Sequence, residues 1–100
     1  MKGFAFHREA GEEFLEALRH YAAVEPSLGN RFYDEIHRLI TQACETPGAF
    51  RYIEPPVRRH FSDDFPYGIL YVERAEDIWI LAVMHLHRNP RYWQSRLSQP

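Results

Sequence analysis

The feature that most constrains the fold is a change in the spacing of apolar residues near the middle of the chain. Between positions 8 and 45, apolar residues recur every three or four positions, which is the spacing of an amphipathic helix. After the Pro55 and Pro56 pair they recur at every second position or in unbroken runs, which is typical of β-strands. The sequence therefore predicts an α+β fold in which helices pack on a sheet.

Two helices are predicted ahead of most of the strands. The first runs from about Arg8 to Ala23, with glutamates early in the segment, where acidic side chains favour a helix N-terminus. Pro26 suits the first turn of a second helix but not the interior of the first. The second helix should end near Glu45, because "TPG" at 46–48 removes a donor and supplies a flexible residue. The two helices form an antiparallel hairpin.

Four strands are predicted, at 2–6, 57–61, 66–73 and 77–87. The last is apolar on both alternating sets, so both of its faces should be covered; the two sets are Ile78, Ile80, Ala82 and Met84 against Trp79, Leu81 and Val83. The predicted order is β-α-α-β-β-β with a short C-terminal segment. We expect a single domain over 1–100, with the helical hairpin packed on a small, mostly antiparallel four-stranded sheet.

Composition excludes some classes of protein. With 45% hydrophobic and 15% aromatic residues, the chain is too apolar for a disordered tail. A net charge of −2 argues against binding nucleic acid through overall charge. The last sixteen residues nevertheless contain Arg88, Arg91 and Arg96 and no acidic residue, so the C-terminal end is a local cationic patch.

The cysteine content and the lack of long apolar segments indicate the cellular location of the protein. Cys44 is alone, so no intrachain disulfide can form, and this suits a reducing cytoplasm. The N-terminal stretch lacks a long apolar signal segment, and no window approaches the ~20 apolar residues of a membrane span. We expect a soluble cytoplasmic protein that makes no membrane contact.

Three stretches in this order carry a resemblance to a known family. They are "FHREAGEEFLEALRHYAAVEPSLGNRFYDEI" in the helical half, "FPYGILYV" in the strands, and "ILAVMHLHRNPRYW" at the end. Together they resemble the ParE/RelE superfamily of toxins from bacterial type II toxin–antitoxin systems, with more similarity to the ParE side. The resemblance covers nearly the whole chain, and it rests on the order and spacing of short motifs.

The resemblance implies a toxin that is neutralised by a cognate antitoxin in a toxin–antitoxin hetero-oligomer. The antitoxin's disordered C-terminal segment would fold along a groove beside the hairpin and the sheet. ParE-like members mostly poison DNA gyrase by binding it, whereas RelE-like members are mRNA endonucleases that act on the ribosome. A solitary copy without toxicity is a third possibility. None of these three hypotheses requires a cofactor.

The leading hypothesis is that the chain is a non-enzymatic inhibitor. Its predicted target-binding residues are Arg88, Arg91, Tyr92, Trp93 and Arg59. In this stretch the aromatic residues are expected to fasten the edge of the sheet, and the arginines are the better functional candidates.

The nuclease alternative assigns catalysis to four residues. Attack by a 2′-hydroxyl needs a base, an acid and a cation for the phosphate, and the candidates are His85, His87, Arg88 and Tyr92. The two histidines alternate to one face of the predicted strand, where they are also consistent with ordinary strand-end histidines. We predict no metal site, since two histidines leave zinc short of ligands and no cysteine cluster completes the set.

Gly68 is a departure from the RelE-like pattern. RelE-like enzymes tend to carry an arginine directly after a tyrosine on this strand, facing the scissile phosphate, whereas here Gly68 follows Tyr67. Glycine cannot supply that charge. Arg58 or Arg59 on the neighbouring strand is the candidate replacement, and adjacent residues on a strand face opposite ways.

Overall fold

The computed structural model describes residues 1–99, which form two α-helices and one five-stranded sheet. The helices are α1 (Arg8–Val24) and α2 (Pro26–Glu45), and short 3₁₀ turns lie at Pro47–Ala49 and Gln94–Ser98. The strands are β1 (Gly3–Phe6), β2 (Tyr52–Glu54), β3 (Val57–Phe61), β4 (Tyr67–Glu73) and β5 (Asp77–His85). Neither helix is long and apolar enough to cross a membrane.

The sheet has the order β1-β5-β4-β3-β2, in which β1 runs parallel to β5 and the other neighbours are antiparallel. The predicted α+β class is thereby confirmed, but the count of four strands is one too low. The additional strand is β2, which lies between the second helix and the strand predicted at 57–61. It has three residues and pairs only with β3, so it is too short to produce a readable alternation of apolar residues.

The helix boundaries follow from local chemistry. The His7 ring caps α1, since its Nδ1 accepts the Glu9 amide at 3.1 Å, and Pro26 occupies the first turn of α2 as predicted. The close packing of the hairpin depends on Gly29. A Cβ at that position would lie 2.8 Å from the Ala22 Cβ, so a larger residue would push the helices apart.

Two apolar clusters lie on opposite faces of the sheet. The hairpin covers one face, where Phe14, Phe32, Ile36, Leu39, Ile69, Tyr71, Ile78, Ile80 and Val83 are buried. The C-terminal segment covers the other, where Trp93 packs with Val57, Leu70, Trp79, Leu81, Ala82 and Met84. As predicted, β5 is covered on both faces, and this explains its unbroken apolar run.

A β-bulge at Leu81 changes which face the last residues of β5 occupy. Tyr71 pairs with Ile80 and Leu70 pairs with Ala82, so Leu81 is the extra residue. Strict alternation was therefore the wrong prediction beyond Ile80. Ala82 joins Leu81 on the second face, as does Met84, while Val83 turns to the helix face. The bulge also places His85 on the helix face, opposite Tyr67.

Candidate functional site

The predicted site begins where β5 ends. The strand stops at His85, so its predicted end at position 87 was wrong, and turns follow at 86–87 and 90–93. The backbone folds back on itself here, since the Arg88 amide donates to the His85 carbonyl at 3.1 Å. His85 and His87 still meet, with ring centroids 5.1 Å apart, because the His87 amide donates to the His85 Nδ1 atom at 3.0 Å. The turn brings the two rings together, and strand alternation does not.

The centre of the site is a carboxylate on α1 that the sequence analysis did not single out. Glu13 is 13% exposed and pairs with Arg96 through two bonds, of 2.8 and 2.9 Å. The Tyr92 hydroxyl donates to it at 2.6 Å, and the Arg88 guanidinium donates at 3.2 Å. We call Glu13, Arg88, Tyr92 and Arg96 the Glu13 cluster. It joins the first helix to the C-terminal end of the chain.

The Glu13 cluster also completes the hydrogen bonding of β5. Pairing with β1 stops at Phe6 and Ile80, so the next backbone groups on that edge of β5 have no strand partner. The Val83 amide donates to the Glu13 carboxylate at 3.1 Å, and the Leu81 carbonyl accepts from the Arg96 Nη1 atom at 3.0 Å. Buried backbone groups need such partners, so the two side chains take the place of a missing strand.

Tyr92 is held in its protonated form. Burial raises the pKa of its hydroxyl, and the hydrogen bond to Glu13 raises that pKa further. Its ring also lies under the Arg88 guanidinium, 3.7 Å from carbon to centroid, in a cation–π contact. Because the hydroxyl proton already points to Glu13, Tyr92 is poorly suited to accept a proton from a substrate.

The remaining predicted target-binding residues differ in exposure. Trp93 is 1% exposed and its indole donates to the Pro90 carbonyl at 2.6 Å, so it fastens the segment and offers no surface to a partner. Arg91 is exposed, and its side chain makes no hydrogen bond or ion pair within residues 1–99. Arg59 is half-buried on β3, two strands away from β5. Arg88 and Arg91 are thus the exposed cations of the segment.

The Phe61 ring fills the space that a side chain at position 68 would occupy. A Cβ there would lie 2.2 Å from the Cδ1 atom of Phe61, the residue with which Gly68 is paired on β3. The Arg59 guanidinium lies 4.6 Å from the centroid of the same ring. Arg58 faces the other side of the sheet, where it donates to the Phe50 carbonyl at 2.7 Å. Of the two candidate replacements, Arg59 is therefore the one on the face that carries Phe61.

A cavity of about 350 Å³ lies between α1 and the end of β5. Charged and titratable side chains line it, namely Glu13, Glu16, His20, Tyr67, His85 and Arg88. The His85 ring packs edge-on against Tyr67 with centroids 5.0 Å apart. Within residues 1–99, no group of three or more His, Cys, Asp or Glu side chains is arranged to hold a metal ion. The cavity is therefore a polar cleft of mixed charge beside the Glu13 cluster.

A larger cleft of about 540 Å³ lies elsewhere, between the C-terminal half of α2 and β3. Its lining includes Arg38, Gln42, Phe50 and His60, and the His60 ring stacks on Phe50 with centroids 3.8 Å apart. Burial, followed by the nearby Arg38 charge, lowers the pKa of His60. This cleft shares no lining residue with the cavity beside the Glu13 cluster.

Glu35 is a buried carboxylate on α2 near this cleft. It is 6% exposed and accepts two bonds from Arg38, at 2.7 and 2.9 Å. The Ser62 hydroxyl donates to it at 2.5 Å. The bond from Arg38 lowers the pKa of Glu35, burial opposes that shift, and the Ser62 bond adds to it.

Comparison with known proteins gives consistent matches. Residues 4–90 match the family described as the ParE toxin of type II toxin–antitoxin systems. The chain is 31% identical over 96 residues to Toxin ParE2 from two strains of Mycobacterium tuberculosis, CDC 1551 and H37Rv, and the alignment covers 92% of this chain and 89% of the relative. A solved chain from a chromosomal ParDE system of P. aeruginosa has the same fold, with a TM-score of 0.71 at 19% identity over 85% of this chain and 96% of that one.

Proposed function

The chain belongs to the family of ParE toxins of type II toxin–antitoxin systems, and we propose that it acts in the cytoplasm by binding and poisoning DNA gyrase. The observation that carries this proposal is the construction of segment 86–93. The buried Trp93 fixes the segment on the sheet, while Arg88 and Arg91 reach solvent. A surface segment that is anchored on the sheet and presents cations suits a protein target with acidic groups, because an anchored segment loses little freedom on binding.

The nuclease hypothesis has less support from the geometry of its candidate residues. Tyr92 is committed to Glu13 with a raised pKa, so it is a poor base. Phe61 occupies the space in which a side chain at position 68 would lie. The rings of His85 and His87 lie close together, and Arg88 lines the same cavity as His85, but the Glu13 and Glu16 carboxylates also line it and oppose the charge that builds on a phosphate. The geometry therefore favours binding over RNA cleavage.

Neutralisation by a cognate antitoxin is the second part of the proposal. Family membership supports it, and the described chain has a suitable groove beside the hairpin and the sheet. The 540 Å³ cleft between α2 and β3 is our candidate for the surface that the antitoxin's disordered C-terminal segment covers in a toxin–antitoxin hetero-oligomer. Its separation from the Glu13 cluster would let antitoxin binding and target binding be disrupted independently.

The test is a supercoiling assay with purified gyrase. We expect the wild-type chain to inhibit supercoiling, and Arg91→Glu to raise the half-inhibitory concentration about tenfold or more, because a charge reversal at an interface opposes binding. Arg51→Glu is the matched control, since it makes the same charge change at an exposed position before β2. His87→Ala should inhibit as the wild type does.

A pulse-labelling experiment separates the two activities in cells. After induction of the chain alone in a bacterium, DNA synthesis should fall before protein synthesis. If protein synthesis falls first and His87→Ala abolishes that effect, the gyrase proposal is wrong and the ribosome-dependent nuclease takes its place. If neither synthesis falls, the chain is a copy without toxicity.

A further inference from the structure

The three arginines of the C-terminal patch have different environments. Arg88 and Arg91 are exposed, whereas the Arg96 side chain is only 6% exposed. Its guanidinium is fully engaged, with Nη1 and Nη2 on Glu13, Nη1 also on the Leu81 carbonyl, and Nε 3.1 Å from the Glu9 carboxylate. Arg96 cannot meet a partner from this position, so its charge serves contacts within the chain.

Those contacts close a loop around the exposed arginines. Residues 86–95 leave β5 at His85 and return to Arg96, which is bonded to both α1 and β5. The segment is therefore held at both ends, with Trp93 buried between them. Fixing both ends of a short loop restricts the positions that its side chains can take, and this favours binding by reducing the entropy lost on association.

Arg96 also changes how tightly Arg88 is held. Both arginines share Glu13, but Arg96 makes two bonds under 3 Å and Arg88 makes one at 3.2 Å. Because the buried pair neutralises the carboxylate, Arg88 is held weakly and its side chain stays 52% exposed. Without Arg96, the partly buried Glu13 charge would attract Arg88 more strongly and withdraw it from solvent.

We propose that Arg96 is a positioning residue for target binding, which acts through Glu13 to fix segment 86–93 and to leave Arg88 free for the target. This inference rests on the proposed function. It assigns Arg96 no contact with the target and separates it from Arg88 and Arg91, which belong to the contact surface.

The test compares Arg96→Ala, Arg96→Lys and a control of reduced stability, Glu35→Ala, in two measurements. The first is inhibition of purified gyrase. The second is hydrogen exchange at the Leu86, Arg88 and Tyr92 amides, which are bonded to the carbonyls of Pro66, His85 and Asn89. Arg96→Ala should raise the half-inhibitory concentration about tenfold or more and should speed exchange at these amides relative to the helices.

The other two variants separate positioning from general stability. Arg96→Lys keeps a cation but loses the two-pronged bond to Glu13, so both effects should be intermediate. Glu35→Ala destabilises the fold away from the segment and should leave both the inhibition and the segment's exchange at the wild-type level. A loss of inhibition in Glu35→Ala equal to that in Arg96→Ala would overturn the inference, because stability alone would then account for it.

The failure of the inference can be told apart from the failure of the proposed function. If Arg96→Ala inhibits gyrase as the wild type does while Arg91→Glu does not, the positioning role is wrong and the proposed function stands. If the wild-type chain leaves gyrase unaffected, the proposed function is wrong. Unchanged exchange in both Arg96 variants would in that case also reject the part of the inference that concerns the fixed segment.

Discussion

Glu13, which is partly buried, and Glu35, which is buried, are carboxylates on helices, and each is paired with an arginine through two hydrogen bonds. The two sites differ in how far along the chain the arginine lies and in how exposed it is. Arg38 lies three residues from Glu35 and is 48% exposed, whereas Arg96 lies 83 positions from Glu13 and is 6% exposed. Removal of Glu35 would therefore leave the solvated charge of Arg38, whereas removal of Glu13 would leave the buried charge of Arg96. The exposure of the partner decides what each pair contributes.

The two pairs also fix different parts of the chain. Glu35 accepts from the Ser62 hydroxyl, whose oxygen in turn accepts the Asp64 and Phe65 amides, so this pair holds the loop after β3 against α2. Glu13 holds the C-terminal segment against α1 and β5. One pair organises the region around a loop, and the other organises the proposed target-binding surface. Substitutions should therefore separate stability from function.

The largest expected effect is that of Glu13→Ala. It leaves the buried Arg96 with only Glu9 and the Leu81 carbonyl, and an unbalanced buried charge is strongly destabilising. We expect the free energy of unfolding to fall by about 3 kcal/mol, measured by urea denaturation. Glu12→Gln, at the exposed neighbouring position, should change it little. A loss as small as that control's would mean that the Glu13 cluster adds no stability.

Glu35→Ala should cost less, about 1 kcal/mol in the same assay. The released Arg38 is half in water and keeps its bond to Gln42, so no buried cation is left behind. Gyrase inhibition per folded molecule should not change. Equal losses of stability in Glu35→Ala and Glu13→Ala would contradict the role assigned to partner exposure.

The Glu35 pair should also give a smaller, pH-dependent contribution. Since the folded state lowers the pKa of Glu35 from 4.5, its ionised form stabilises the fold above that value. This contribution is lost as the pH falls through the folded-state pKa. The difference in unfolding free energy between the wild type and Glu35→Gln should therefore shrink from about pH 6 to about pH 3. A difference that grows with acidity would reverse the sign of the proposed linkage.

The smallest effect on stability is expected for Arg91→Ala. Its side chain is exposed, and substitutions at such positions usually change the free energy of unfolding by less than about 0.5 kcal/mol. Gyrase inhibition should nevertheless weaken, in contrast to Glu35→Ala, which weakens the fold and spares inhibition. Thermal unfolding and the supercoiling assay on the same preparation check both parts. A large drop in melting temperature would show that Arg91 has a structural role.

The sequence predicted the helices to within one residue and the α+β order, because the helical stripes, Pro26 and the "TPG" stop are local signals. It did not predict the bulge at Leu81. When both faces of a strand are apolar, the sequence does not show which residues point to which face, so an extra residue leaves no visible sign. It placed Arg88 and Arg91 in the candidate site but missed Glu13, whose partners lie some 70 to 83 positions away. Glu9 and Glu13, one turn apart on α1, were the available signal, since a pair of acids on one helix face calls for a cation.

The parallel pairing of β1 with β5 has a consequence for the order of events during synthesis. Gly3 finds its partner only when Asp77 is available, and His7 donates through Nε2 to the Gln99 carbonyl at 2.5 Å. Contacts between such distant parts of a chain form late and slow folding. A ribosome making this protein therefore carries an unassembled chain until β5 has emerged, and the surface that carries Arg88 and Arg91 takes shape only after Arg96 has been added.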